Sequence, residues 1–380
     1  MGRHGVVSAD SHMAEPIDLW EERLAVPFRD RAPKVIENPQ PEGSSRYLFL
    51  AEGVPPFPIA GGYAAGRSGK ELRDLMEKGY EAARPSGWDP VERLKDQDLD
   101  GIDAEVLYPG LGMTLFAMSD GELQRACFDV YNGWVAEFCR HDPKRLYGIG
   151  LVSLEDIDKA AGDVEKIAKL GMRGAMIWGA PPEDRPYSSR AYDPFWQAAS
   201  EAGLPVSLHI IASRGSRSGS VGKLIGQRAK AQAGIWYMTV IHEIQESLVH
   251  LVLGGVLERF PELKIVSAEN DAGWFPHFNY RMDHVFDKYG ETWGDEVPRR
   301  PSEYVRRQIF ATFQDDRTGP AAHEIFGADN YMWASDFPHS DSTFPESRAW
   351  IDKNFAGVPD SVRRKIVHDN AVSLYRMDVD

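Results

Sequence analysis

The sequence predicts a closed (β/α)8 TIM barrel, an α/β fold, and three observations lead there. Eight short apolar runs are spread along the chain, most of them followed by an amphipathic stretch. The runs are apolar on both faces, as parallel strands covered by helices must be. Several end in an ionisable residue, at the place where a parallel barrel collects its chemistry. A doubly wound open sheet is the competing topology, and no glycine-rich dinucleotide loop supports it.

The first run, "GVVSA" (5–9), leads into Asp10 and, two positions on, His12. In a strand, i and i+2 share a side, so both side chains reach one spot past its end. The same letters also fit a plain surface turn. Residues 13–95 then break the rhythm with prolines ("AVPFRDRAPKVIENPQPEG", "EGVPPFPIAGG") and no steady period. They predict an irregular insertion that forms a lid or an oligomer contact, which makes a homodimer the expected assembly. The remaining strands are "DAEVLY" (103–108), "LYGIGLV" (146–152), "RGAMIW" (173–178), "PVSLHI" (205–210), "KIVSA" (264–268), "QIFATF" (308–313) and "YMWAS" (331–335). Stretches 122–141 and 155–171 read as amphipathic helices between them. The fifth strand ends in His209, the sixth in Glu269 and the eighth in Asp336.

A length of 380 residues suits a single large barrel domain, 1–380, with that one insertion. A formal net charge of −15 argues against nucleic acid and anionic membrane as partners. No apolar run approaches the roughly 18 residues of a membrane span, and "MGRHGVVSAD" lacks a signal-peptide core. The two cysteines, Cys127 and Cys139, fall in one expected helix. They would stand about 18 Å apart there, too far for a disulfide, so a reducing cytoplasm fits. One region departs from the acidic average. Between Ala202 and His242 there is no Asp or Glu, while Arg214, Arg217, Lys223, Arg228 and Lys230 are present. This reads either as a solvated basic loop or as a landing site for phosphates, with Arg214 and Arg217 binding substrate.

Five ionisable residues just past strand ends (Asp10, His12, His209, Glu269 and Asp336) make a metal site the leading expectation. His242, in "VIHEIQESLVHL", is a candidate for a second ion; a helix-start histidine bonded to water is the alternative. Glu105 on the second strand faces either the site or a buried ion pair. His339 in "DFPHSDSTF" is a candidate acid–base group, or else its segment only caps the next helix through Ser342 or Thr343. Trp274, with Trp88, Tyr108, Trp178 and Trp236, suggests a bulky apolar ligand, although core packing explains most of them equally well.

The runs "ADSH", "SLH", "GGVLERFPELKIVSAENDAGWFPHFNYRMDH" and "GADNYMWASDFPHSDST" resemble the amidohydrolase-related family, the decarboxylase-like branch of the amidohydrolase superfamily. The resemblance implies an amidohydrolase-type barrel with Asp10, His12, His209 and Asp336 as ligands of a divalent metal, and Asp336 as a catalytic base. The hydrolytic members usually carry His-x-His on strand one and often a histidine on strand six; Asp10 and Glu269 stand in those places. Carboxylates harden the site, so iron and manganese become as plausible as zinc. With Glu269 in place, the chain is similar to dinuclear non-heme iron hydroxylases of platensimycin-type diterpenoid biosynthesis. That similarity implies two iron ions, O2 as co-substrate and a coenzyme A thioester of a bulky apolar acid, in secondary metabolism. A mononuclear decarboxylase of an aromatic or enoic acid, and a metal-dependent hydrolase, are the other enzyme readings. A binding protein with a structural metal is the non-enzyme reading, and intact ligands at every strand end speak against it.

Overall fold

The computed structural model describes residues 5–39, 45–214, 230–292 and 296–379, without the side chains of 230–233. Eight parallel strands form one nearly closed barrel. They are β1 (Val7–His12), β5 (Ala104–Tyr108), β6 (Leu146–Leu151), β7 (Gly174–Ile177), β8 (Val206–His209), β9 (Ile265–Ala268), β10 (Ile309–Phe313) and β11 (Tyr331–Trp333), hydrogen-bonded in that order. All eight coincide with the runs expected from the sequence. Every residue of β1, β5 to β9 and β11 is buried, as strands with helices outside and packed side chains inside must be. Within the barrel the Tyr108 hydroxyl meets Ser207 Oγ at 2.8 Å and the Tyr375 hydroxyl at 3.2 Å, so its lower half is a packed core.

Strand β1 is irregular against β5: Ser8 faces Glu105 but Ser11 faces Leu107, so β1 carries an extra residue beside Asp10. Closure between β11 and β1 takes place at their upper ends. Ser335 N–H donates to Ser8 Oγ (2.9 Å), Asp336 N–H to the Asp10 carbonyl (3.0 Å) and His12 N–H to the Phe337 carbonyl (2.6 Å).

The insertion is not irregular. It holds a three-stranded antiparallel sheet, β2 (Lys34–Glu37), β3 (Tyr47–Ala51) and β4 (Val54–Pro58), then a helix over Gly69–Lys78. The prolines that hide β4 in the sequence are tolerated because β4 is an edge strand and need not donate on its free side. The helix Pro90–Asp100 returns the chain to the barrel. Asp89 caps it by accepting from Val91 N–H and Glu92 N–H, Pro90 opens it, and Gly101 ends it with φ +76°.

Candidate metal centre

The residues after β1, β8, β9 and β11 converge at the upper mouth. His12 Nε2 lies 3.5 Å from Asp10 Oδ1, 3.4 Å from Asp336 Oδ1 and 3.7 Å from Glu269 Oε2. His209 Nε2 lies 3.6 Å from Asp10 Oδ1 and 3.4 Å from Glu269 Oε2. Asp10, His12, His209 and Asp336 are buried, and Glu269 is nearly so. Glu269 and Asp336 sit in left-handed backbone, with φ of 54° and 57°. For non-glycine residues that conformation is uncommon, and it turns both carboxylates back over the strand ends.

Each ligand candidate is aimed by a partner behind it. His12 Nδ1 donates to the Pro109 carbonyl at 2.7 Å and His209 Nδ1 to the Ile210 carbonyl at 2.9 Å. A carbonyl only accepts, so Nδ1 holds the hydrogen and each Nε2 lone pair is free to bind a cation. Thr312 donates to Asp10 Oδ2 (2.9 Å) and receives Glu269 N–H (2.8 Å), tying two carboxylate residues through one hydroxyl. His339 Nδ1 donates to Asp336 Oδ1 at 2.9 Å, and its ring stacks on His12 at 3.9 Å.

Among the buried side-chain atoms without a hydrogen-bond partner, four face one another in this cluster: Asp10 Oδ1, His12 Nε2, His209 Nε2 and Asp336 Oδ2. Buried polar atoms are costly when unpaired, and a cation between these four would satisfy them together. Two imidazole nitrogens and two carboxylate oxygens suit a divalent ion such as manganese, zinc or iron, so the residues fit the metal that the motifs imply. The ligand atoms form two overlapping groups: Asp10, His12 and His209; and His12, Glu269, Asp336 and His339. His12 is common to both. Its Nδ1 is committed to Pro109, and a single Nε2 lone pair serves one ion, which favours one centre over two.

The electrostatics match a site that wants positive charge. Burial, then the Asp10 and Glu269 carboxylates, act in opposite directions on His209, and the carboxylates prevail at about 9. Burial and the neighbouring His339 and His209 hold His12 well below its ordinary value. Burial and Asp336 push Glu269 well above the carboxylate range, and burial and Asp10 do the same to Asp336.

Above the cluster lies a cavity of about 190 Å3. Glu269, Asp336 and His339 face it from the barrel; Leu111, Met113 and Thr114 from the turn after β5; Phe57, Ile59, Tyr63 and Tyr80 from the insertion. Tyr237 closes one side, its hydroxyl donating to Asp341 Oδ2 at 2.7 Å. Glu15 supports the floor from beneath. Its buried carboxylate accepts from the N–H groups of Gly110 (3.0 Å), Leu111 (2.7 Å) and Gly112 (3.0 Å).

Other expected site residues fall elsewhere. His242 is exposed and joins neither ligand group. On the helix Lys230–Leu253 the buried stripe is Val240, Glu243, Ile244, Ser247 and Leu248, and His242 and Glu246 point away from it. Arg214 is held by Glu155 (2.6 Å) and the Ala117 carbonyl (3.3 Å), so its charge already has a partner. Arg217, Lys223 and Arg228 lie outside the described residues. Trp274 turns to Phe275 and Phe278, with its N–H on the Asn270 carbonyl (2.7 Å), and does not line the cavity. Trp178 is core, its N–H on the Phe116 carbonyl. Glu105 is the buried ion pair, with Arg93 at 2.6 Å. Neither Ser342 nor Thr343 caps the helix Ser347–Asn354. The sequence reading missed Thr312, Tyr237, Glu15 and the insertion's wall. Only Thr312, a polar letter inside "QIFATF", left a trace.

The model of the amidohydrolase family matches residues 46–377. A γ-resorcylate decarboxylase from Polaromonas sp. is 24% identical over 304 residues, 75% of this chain and 87% of the relative. The crystal structure of an amidohydrolase from Mycobacterium avium subsp. paratuberculosis gives a TM-score of 0.77 at 23% identity, covering 99% of this chain and 100% of that one. That of a dihydroxybenzoic acid decarboxylase from Polaromonas sp., with bound manganese and the inhibitor 2-nitroresorcinol, gives 0.64 at 17% identity, covering 99% and 98%.

Proposed function

The chain belongs to the amidohydrolase family, and from that premise we propose that it is a metal-dependent decarboxylase of a small aromatic or enoic acid. The observation that carries the reading is the cavity: about 190 Å3, mostly apolar, and opening directly onto the convergent ligands. A 150 Å3 apolar cavity accepts benzene, so this one has room for a single ring with small substituents. A polycyclic diterpenoid thioester is far larger. The relatives named above that have a stated activity are decarboxylases, one of them with manganese, which also supports this reading over a di-iron hydroxylase. With Arg214 paired to Glu155, the phosphate-landing idea loses one of its two cations.

Asp10, His12, His209 and Asp336 would hold the divalent ion, which supplies positive charge for the substrate carboxylate and for the electron density that builds as CO2 leaves. The Pro109 and Ile210 carbonyls keep both imidazoles oriented toward it. Leu111, Met113, Phe57 and Ile59 enclose the ring and exclude water. Glu269, whose carboxyl burial and Asp336 push above the ordinary carboxylate range, faces the cavity and would deliver a proton to the carbon that loses CO2. The electron pair of the broken C–C bond takes up that proton, and Glu269 recovers one from solvent. His339 holds Asp336 in place from the mouth side.

The test is a manganese-loaded preparation supplied with monocyclic hydroxybenzoates in D2O. One CO2 is released per acid consumed, one deuteron appears at the vacated carbon, and no O2 is taken up. Glu269→Gln lowers kcat by about 10²-fold or more, the usual size of a lost general acid. O2 consumption with a coenzyme A thioester and no CO2 would establish the hydroxylase instead. Cleavage of an ester or amide without CO2 would establish the hydrolase.

A further inference from the structure

Seven of the eight strand interfaces in the barrel are parallel ladders; the eighth, between β11 and β1, is not. It is closed by a few bonds at its upper end, and those bonds involve the residues that carry Asp10, His12 and Asp336. The separation between these ligands is therefore set by the least reinforced joint of the sheet. Arg93, fully buried, spans it. Its Nη1 donates to the His12 carbonyl (2.8 Å) and its Nη2 to the Phe337 carbonyl (3.4 Å), while the guanidinium lies over the Phe337 ring at 4.7 Å. Glu105 holds the Nε side at 2.6 Å and is itself held by Gln97 at 2.7 Å. The Phe337 carbonyl also receives His12 N–H, so one oxygen ties the two strand ends and the arginine together.

We propose that Arg93 is a positioning residue of the metal centre: it fixes the first-strand ligands against the eighth-strand ligand by clamping the carbonyls of His12 and Phe337. The inference rests on the metal-binding part of the function proposed above, and is independent of which acid, if any, is decarboxylated. A guanidinium offers donors in a rigid planar fork; an ammonium is a compact point charge and does not span the same acceptors. Arg93→Lys keeps the charge and loses the span.

The experiment is a Mn2+ titration of the full chain against a chromogenic chelator, with the electron paramagnetic resonance spectrum of the bound ion as a second readout. Measurements are made well below each variant's unfolding temperature. Arg93→Lys weakens Mn2+ binding by roughly tenfold or more, the usual cost of losing a group that orients metal ligands, and alters the spectrum. A double variant, Arg93→Met with Glu105→Gln, removes both buried charges at once and leaves an amide oxygen for Gln97, so the fold is retained. Its Mn2+ affinity stays low. Arg125→Lys, which disturbs a partly buried ion pair with Asp163 away from this joint, binds Mn2+ like the wild type. Wild-type affinity in the double variant would overturn the proposal while leaving the metal centre intact. An absence of Mn2+ binding by the wild type itself would overturn both.

Discussion

At the scale of single residues, four atoms organise the expectations: Asp10 Oδ1, His12 Nε2, His209 Nε2 and Asp336 Oδ2, buried and unpaired. His209→Ala removes one donor and leaves the Asp10 carboxylate facing an apolar hole. Metal content after dialysis falls by tenfold or more relative to the wild type, as elemental analysis will show. Gly110 is sensitive for another reason. A Cβ there would collide with the Met13 carbonyl oxygen and meet the Glu15 carboxylate at 3.0 Å. Gly110→Ala therefore displaces the turn that begins with the Pro109 carbonyl, the partner of His12 Nδ1; KM rises and Mn2+ affinity falls, as steady-state kinetics and metal titration together reveal. The ligand candidates were legible because each stands at or just past the end of an apolar run, where strand geometry alone directs it to the mouth. Arg93 and Glu15 were not. An arginine inside "PVERLKDQDLD" or a glutamate in "HMAEP" looks like any surface charge until the chain returns from elsewhere to cover it. His242 misled because a helix shows its polar face in the same letters as its functional one.

At the scale of elements, two carboxylates join parts distant in sequence. Glu15 gathers three N–H groups of the turn after β5. Glu15→Gln substitutes an amide NH2 for one acceptor, leaving a buried donor facing donors; a loss of about 1–3 kcal/mol in urea unfolding is expected. Asp100 ends the helix Pro90–Asp100 and accepts from Ser347 N–H (2.9 Å) and Ser347 Oγ (2.5 Å) at the start of the helix Ser347–Asn354. Burial raises its pKa to about 6 despite those bonds. The folded protein thus takes up this proton before the unfolded chain does. The stabilising contribution of the protonated form is complete below the unfolded value and is lost as pH rises through about 6. Wild type accordingly gains on Asp100→Asn as pH falls from 7 to 4, and paired urea titrations at the two pH values measure the gain. All eight barrel strands were readable from apolar runs. The small sheet of the insertion was hidden because "VPPFP" in β4 breaks the usual composition of a strand, which only an edge position permits.

At the scale of the whole molecule, the barrel gathers three carboxyl groups at its mouth, Asp10, Glu269 and Asp336, and a bound cation would favour their charged forms. Mn2+ at a hundredfold excess over its Kd stabilises the folded state by about 2.7 kcal/mol by mass action. A rise of a few degrees in Tm on adding Mn2+, reversed by a chelator, is the expected calorimetric result. No helix among the described residues is long and apolar enough to cross a membrane. The architecture also separates two tasks. The ligand candidates come from the strand ends, whereas Phe57, Ile59, Tyr63 and Tyr80 come from a segment with a small sheet of its own. Part of the cavity wall is thereby housed in a separate cassette. Grafting that hairpin region from one homologue onto another would reshape this side of the mouth, while the strand-end cluster is inherited untouched.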